Sequence, residues 1–138
     1  MIRSVLAVLA GLVVLTIASF AVEAAVDPLL MHMFPGALPD AAALSRSFPA
    51  RLLMLAYTTF SIGLGGYVAA CIANRAKIWH AFIMGAIEVA FTFYVMIVGP
   101  FQEVHQAPRW GWMVGLLLML PAASLGGLIR ARQTREVR

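Results

Sequence analysis

The residue best suited to chemistry is Glu88, the one acid in an apolar run that extends from Ile78 to Gln102. A helix that enters a bilayer at Ile78 and rises about 1.5 Å per residue places Glu88 about 15 Å deep, near the middle of the hydrocarbon layer. A charged carboxylate costs about 2.5–3.5 kcal/mol or more at that depth. We therefore predict that Glu88 faces the other helices in its protonated form. Its role is then either a structural hydrogen bond or a proton or ligand site.

Two hydroxyl residues are predicted to lie at the depth of Glu88. By the same helical rise, Thr16 in the first apolar run and Ser61 in the second are about 18–20 Å from the inner surface. In the fourth run, Pro121 deprives the carbonyl of Leu117 of its helical donor. Because no Lys or Arg reaches this layer, a hydroxyl or that carbonyl is the expected partner of Glu88.

A second polar group is predicted at the outer ends of the helices. Glu23 and Asp27 are four residues apart near the end of the first helix, and Arg51 and Arg109 begin the second and fourth helices. Ion pairs among these residues would fix the outer ends of the helices against one another. The alternative is a site for a charged ligand.

The histidines give only a weak signal for metal binding. His32, Glu103 and His105 are all expected on the outer side and are of the residue types that bind zinc. They come from two different loops, however, and their spacing is not characteristic of a metal site. His80 is near the inner end, so no two histidines face each other across the bundle as a haem would require. We expect no metal, no cofactor and, since catalytic motifs are absent, a non-enzymatic role.

These polar residues are set in four long apolar segments. The chain of 138 residues is 62% hydrophobic and 12% charged, whereas an ordinary soluble domain is about 25% charged. This composition excludes a soluble enzyme and a nucleic-acid-binding domain. Because a spanning helix needs about 20 apolar residues, we predict one all-α domain over residues 1–138, a four-transmembrane-helix bundle. The predicted helices cover about 4–26, 50–74, 78–100 and 109–130, followed by a tail at 131–138. The first segment resembles a cleavable signal peptide, but we expect it to be retained.

Lys and Arg are distributed unequally over the predicted loops. Seven of them lie on the side of the two termini: Arg3, Arg75, Lys77, Arg130, Arg132, Arg135 and Arg138. Three lie on the other side: Arg46, Arg51 and Arg109. Because positive charge favours the cytoplasmic side of a membrane, we predict that both termini are cytoplasmic.

Small residues predict where the helices pack together, because they allow close approach in lipid. The glycines concerned are Gly65, Gly66, Gly111, Gly115 and Gly126. The pattern Leu-Gly-Gly at 64–66 recurs 61 residues later at 125–127, as two tandem helical hairpins would require. Coincidence is the alternative. The single cysteine, Cys71, lies in an apolar run and is expected to be buried.

The sequence GGYVAA at 65–70 is followed by Ile72–Ala73, a basic link and His80–Ala81. This hairpin resembles that of small bacterial four-helix inner-membrane proteins. The resemblance extends only as far as Gly85; it implies a bacterial inner-membrane location and no activity. We expect the lipid bilayer to be the main partner, with a membrane protein or a second copy of the chain as further candidates, and no nucleic acid. The leading hypothesis is a subunit or accessory protein, and the alternative is a small transporter or proton-linked carrier that uses Glu88.

Overall fold

A computed structural model describes residues 2–98 and 109–136 of the chain, with side chains in the second range described as far as Thr134. The helices in these ranges are α1 (Ile2–Met33), α2 (Ala41–Arg46), α3 (Phe48–Ile72), α4 (Lys77–Val98) and α5 (Arg109–Glu136). These two ranges contain no strand. All of these helices except α2 are long and apolar enough to cross a membrane. The predicted all-α, four-transmembrane-helix bundle is therefore confirmed.

The first helix is longer than the sequence indicated. α1 continues through Pro28 to Met33, rather than ending near residue 26. Proline is tolerated in such helices when neighbouring groups satisfy the backbone that it frees. The 32 residues of α1 span about 48 Å, more than the roughly 30 Å of a hydrocarbon layer. α1 is therefore several turns longer than an untilted helix needs to cross such a layer.

Residues 34–47, between α1 and α3, form a cap over one end of the bundle. Asp40 caps the N-terminus of the short helix α2. Its side chain accepts a hydrogen bond of 2.6 Å from the backbone N–H of Ala43. A small core holds the cap in place; it consists of Leu38, Leu44 and Ala50, with Leu30, Met31 and Met54 packed around them. The cap thereby ties the end of α1 to the start of α3.

Contacts at glycines show the relative direction of α3 and α5. Leu55 in α3 lies beside Gly115 in α5, and Gly66 lies beside Ala123. Because the residue numbers rise together along both helices, α3 and α5 are parallel neighbours.

The other two long helices run in the opposite direction. Ala81 in α4 lies beside Gly127 in α5, and Gly85 lies beside Ala123, so the numbers rise in one helix as they fall in the other. Gly11 in α1 likewise lies beside a residue near the end of α3. The start of α1 and the end of α5 therefore lie at the same end of the bundle, with residues 73–76 that link α3 to α4. We call this the terminal end, and the opposite end the cap end.

The closest approach of two helices is between α3 and α5, and it is reciprocal. A Cβ atom added to Gly66 would overlap the backbone of Ala123, and one added to Gly126 would overlap the backbone of Gly63. Positions 123 and 126 follow positions 63 and 66 by 60 residues, close to the spacing of the repeated Leu-Gly-Gly pattern. The two contacts are equivalent when α3 and α5 change places, as a two-fold axis between tandem hairpins would require. The outer helices are less alike, since α4 contacts both α3 and α5 whereas α1 contacts mainly α3.

Met84 fills the centre of the bundle. Its side chain is fully buried, and its sulfur lies 2.9 Å and 3.1 Å from the positions that Cβ atoms on Gly11 and Gly65 would occupy. Met84 belongs to a core cluster whose other members are Leu15, Ile62, Met119, Ala122 and Ala123. One bulky, flexible side chain thus occupies the space that two glycines leave between three helices.

Two features at the terminal end differ from the sequence analysis. The expectation that Cys71 is buried is wrong: its side chain is exposed, because Ala69 and Ala70 occupy the buried positions of that turn. Residues 131–136, predicted as a tail, continue α5 as helix. This extension is held to α3 by the hydroxyl of Tyr67, which donates to Oε1 of Gln133 at 2.9 Å.

Replacing Gly66 by alanine should lower the free energy of unfolding by about 1–3 kcal/mol relative to Gly115→Ala, the usual cost of overpacking. The methyl group on residue 66 would meet the backbone of Ala123, whereas one on residue 115 would meet only Cδ2 of Leu55 at 3.5 Å. Both variants gain the same helix propensity, so their difference isolates the contact. Unfolding in detergent, followed by circular dichroism, measures it. Equal stability of the two variants would contradict the close approach of α3 and α5.

Candidate functional site

A cavity of about 180 Å³ lies in the half of the bundle nearer the cap. Residues from α1, α3 and α5 form its wall. Its polar lining consists of Glu23, Arg51, Tyr57, Thr58 and Trp112, and its apolar lining includes Leu55 and Met119. The cavity therefore brings a carboxylate, a guanidinium, two hydroxyls and an indole N–H together between apolar helices.

The guanidinium of Arg51 has a defined position in this cavity. Its central carbon lies 5.3 Å from the centroid of the Trp112 ring, within the range of a cation–π interaction. A Cβ atom on Gly111 would lie 2.5 Å from Nε of Arg51. A glycine in the first turn of α5 thus leaves the space that the Arg51 side chain occupies.

Several buried polar atoms near the cavity have no hydrogen-bond partner among the described residues. Nε of Arg51 and Nε1 of Trp112 are donors of this kind, and Oδ1 of Asp27 is an acceptor. A buried polar group without a partner costs about 1–3 kcal/mol. One water occupies roughly 30 Å³ of liquid, so the cavity has room for several waters or for a small polar group that offers both acceptors and donors.

The predicted outer residues come together only in part. Glu23 and Arg51 both line the cavity, and Asp27 lies within Coulombic range of Tyr57, as do Glu23 and Arg51. Arg109 is exposed and does not line the cavity. Whether these charges serve as ion pairs or as a ligand site stays a prediction.

The sequence analysis missed two of the lining residues. Tyr57 and Thr58 were not identified, although Arg51, Leu55 and Thr58 are spaced as one face of a helix. Trp112 was not assigned a role beside a charge either. The signal that could have found the site is a cationic residue two turns before a hydroxyl on an otherwise apolar helix face.

Glu88 lies apart from the cavity, on the face of α4 that packs against the bundle. Ala81, Gly85 and Thr92 on this face are buried, and Glu88 is half-buried among them. Among the residues that the structure describes, none donates a hydrogen bond to Glu88 or forms an ion pair with it. The described bundle therefore places one carboxyl group between helices without assigning it a partner.

The hydroxyls expected near Glu88 are used within their own helices. The Thr16 hydroxyl is exposed and donates to the carbonyl of Leu12 at 2.8 Å. The Ser61 hydroxyl is buried and donates to the carbonyl of Tyr57 at 2.9 Å. Ser and Thr commonly bond the carbonyl of the preceding turn in this way. Thr16 is therefore not a partner of Glu88, although the two residues were predicted to lie at a similar depth in the membrane.

The residues considered for metal binding are dispersed or outside the described ranges. His32 is exposed in the last turn of α1, while Glu103 and His105 lie outside the described residues. Within residues 2–98 and 109–136, no three side chains of His, Cys, Asp or Glu are grouped so that they could hold a metal ion.

The four long apolar helices are compatible with a multi-pass membrane protein. Comparison of the chain with models of protein families, with curated proteins and with solved structures yields no match. The role of the protein has therefore to be argued from its own geometry.

Replacing Arg51 by glutamine should destabilise the protein more than Arg109→Gln, which removes the same charge from an exposed position. The Arg51 variant loses the contact with the Trp112 ring, a kind of interaction that contributes up to about 2 kcal/mol when it is shielded from water. Unfolding in detergent gives the stability difference, and tryptophan fluorescence reports whether the surroundings of Trp112 change. A larger loss on changing Arg109 would show that Arg51 is not held at the cavity.

Proposed function

We propose that this protein is a non-catalytic subunit or accessory protein of an assembly in the bacterial inner membrane. The observation that supports this role is the close packing between the cavity and the terminal end. The core cluster around Met84 and the backbone contacts of Gly63, Gly66 and Gly126 lie there. A carrier must open its site to both sides of the membrane, and here that opening would have to separate helices whose backbones are in contact.

The surface of the bundle also supports an assembly. Only 17–28% of the residues in the apolar stretches of the four long helices are buried within the chain. A large apolar surface is thus left for lipid and for other transmembrane helices. Because helices in lipid associate through close van der Waals contact, a bundle of this size is suited to pack against a larger membrane protein.

The unequal distribution of Lys and Arg supports an orientation with the terminal end in the cytoplasm. Arg3, Arg75, Lys77 and the basic residues in the last turns of α5 (Arg130, Arg132 and Arg135) lie there, whereas Arg46, Arg51 and Arg109 lie toward the cap end. A reporter that is active only outside the cytoplasm should be inactive when fused after residue 138 and active when inserted in the cap. The reverse result would contradict the orientation.

The size of the native particle tests the proposed role. The chain carries a small affinity tag, is produced from its own locus and is extracted in a mild detergent; its particle mass is compared with that of the purified, overproduced chain. We expect the native particle to be larger, with a second protein at fixed stoichiometry. A native particle of the same mass as the purified chain would contradict a subunit role.

Glu88 supports a second candidate function, a proton-linked carrier. The supporting observation is the half-buried carboxyl group of Glu88 between helices, for which the described residues provide no hydrogen bond. A carboxyl group at such a depth is costly to retain unless it has a partner or a function.

Glu88→Gln separates the two functions, since glutamine keeps the shape of the side chain but cannot exchange a proton. For an accessory protein, we expect the variant to fold and assemble like the wild type, and the wild type in liposomes to carry no proton current above that of empty liposomes. A pH-sensitive dye inside the liposomes gives the measurement. Proton flux that is present in the wild type and lost in Glu88→Gln would replace the first proposal with the second.

A further inference from the structure

A second, larger recess lies at the terminal end of the bundle. It is an open groove of about 820 Å³ between the α3–α4 link, the first turn of α4 and the last turns of α5. Residues 74–79 form one side of the groove, and Ala131 and Thr134 form the other. Arg75 and Lys77 bring two cationic side chains to it, and Trp79 brings an indole ring.

A hydrogen bond of the Lys77 side chain and the backbone conformation of Ala76 determine the shape of the groove. Nζ of Lys77 donates a hydrogen bond of 3.0 Å to Oγ1 of Thr134. Ala76, between Arg75 and Lys77, has a φ of 50°, a left-handed conformation that non-glycine residues rarely adopt. The sharp turn at Ala76 allows α4 to begin at the next residue. Arg75 and Lys77 therefore lie on either side of this turn, beside α5.

Positive charge predominates around this groove. Arg3, Arg130 and Arg132 add further cations at the terminal end, and Nε of Arg130 is buried without a hydrogen-bond partner among the described residues. In residues 2–11, 64–84 and 122–136, which make up this end, the one Asp or Glu is Glu136 in the last turn of α5. The cations of these segments therefore outnumber their single carboxylate.

The groove meets the apolar surface of the bundle. Ile78 and Trp79 line it and begin the apolar stretch of α4, and the side chain of Trp79 is 62% exposed. Exposed indoles of spanning helices lie at the level of the lipid headgroups. A bound molecule would thus have an anionic part among Arg75 and Lys77 and an apolar part that continues along α4.

We propose that this groove binds the headgroup of an anionic phospholipid, with its phosphate beside Arg75 and Lys77 and its acyl chains along Ile78 and Trp79. Basic pockets between transmembrane helices bind anionic headgroups through such charges. The continuity of the cations with an exposed apolar surface favours a lipid over a free phosphate, which would leave the apolar side unused. This site is independent of the proposed subunit role and of the cap-end cavity.

The test uses the full chain in detergent with phosphatidylglycerol or phosphatidylcholine as the probe, and native mass spectrometry measures the bound lipid. The wild type should retain phosphatidylglycerol in preference to phosphatidylcholine. The double variant Arg75→Gln/Lys77→Gln should bind phosphatidylglycerol about 30-fold more weakly, as the loss of two headgroup contacts predicts. The matched control Arg3→Gln/Arg132→Gln loses the same charge at the same end but outside the groove, and should bind nearly as well as the wild type.

Three outcomes would overturn the proposal. These are equal retention of the two lipids, an equal loss in the control variant, and displacement of the lipid by glycerol 3-phosphate at concentrations that match the lipid. If the double variant fails to fold, fluorescence quenching by brominated lipids in nanodiscs gives the answer with the native groove. Brominated phosphatidylglycerol should quench the wild type more than brominated phosphatidylcholine, and Trp79→Phe should abolish the difference. Equal quenching by the two lipids would also overturn the proposal.

Discussion

The close contact of α3 with α5 is the interaction on which the rest of the bundle depends. Lipid tails are as apolar as the side chains, so burying an apolar side chain between helices contributes little hydrophobic free energy. The helices are held together instead by close van der Waals contact and by polar groups. Gly66 and Gly126 provide this contact because each lets the facing backbone approach where a Cβ atom would overlap it. The helices then remain parallel along their length. Arg51 is thereby brought to Gly111 at one end, and Tyr67 to Gln133 at the other.

The same contact explains why the two ends of the bundle differ. Near Gly66 the helix backbones touch, whereas at Gly115 the nearest atom is a leucine methyl group at the ordinary distance of 3.5 Å. The space between α3 and α5 is thus larger toward the cap, and there it contains Arg51 and Trp112. The positions of the glycines thus explain why a cavity with several polar groups in its wall lies next to a tightly packed core.

The sequence predicted the four long helices well because length and hydropathy are local properties. It failed where a structure depends on neighbours. Pro28 indicated the end of α1, but the cap and the start of α3 stabilise a helix that continues past it. Thr16 was assigned to the layer of Glu88 by depth alone, yet depth does not determine which side of a helix faces inward, and Thr16 is exposed. The Arg51 cavity required a glycine on another helix, Gly111, which only the packing could relate to it.

The two ends of the bundle also differ in how their charges are balanced. At the cap end, Glu23, Asp27 and Arg51 all lie close enough to Tyr57 to interact with it electrostatically, so acids and bases of the chain itself occur together. At the terminal end, the described segments contain six cations and a single acid, Glu136. Positive charge of this kind favours retention on the cytoplasmic side during insertion, and it also attracts the anionic lipids of that surface. One set of residues therefore gives a physical reason both for the proposed orientation of the chain and for the proposed lipid site between α4 and α5.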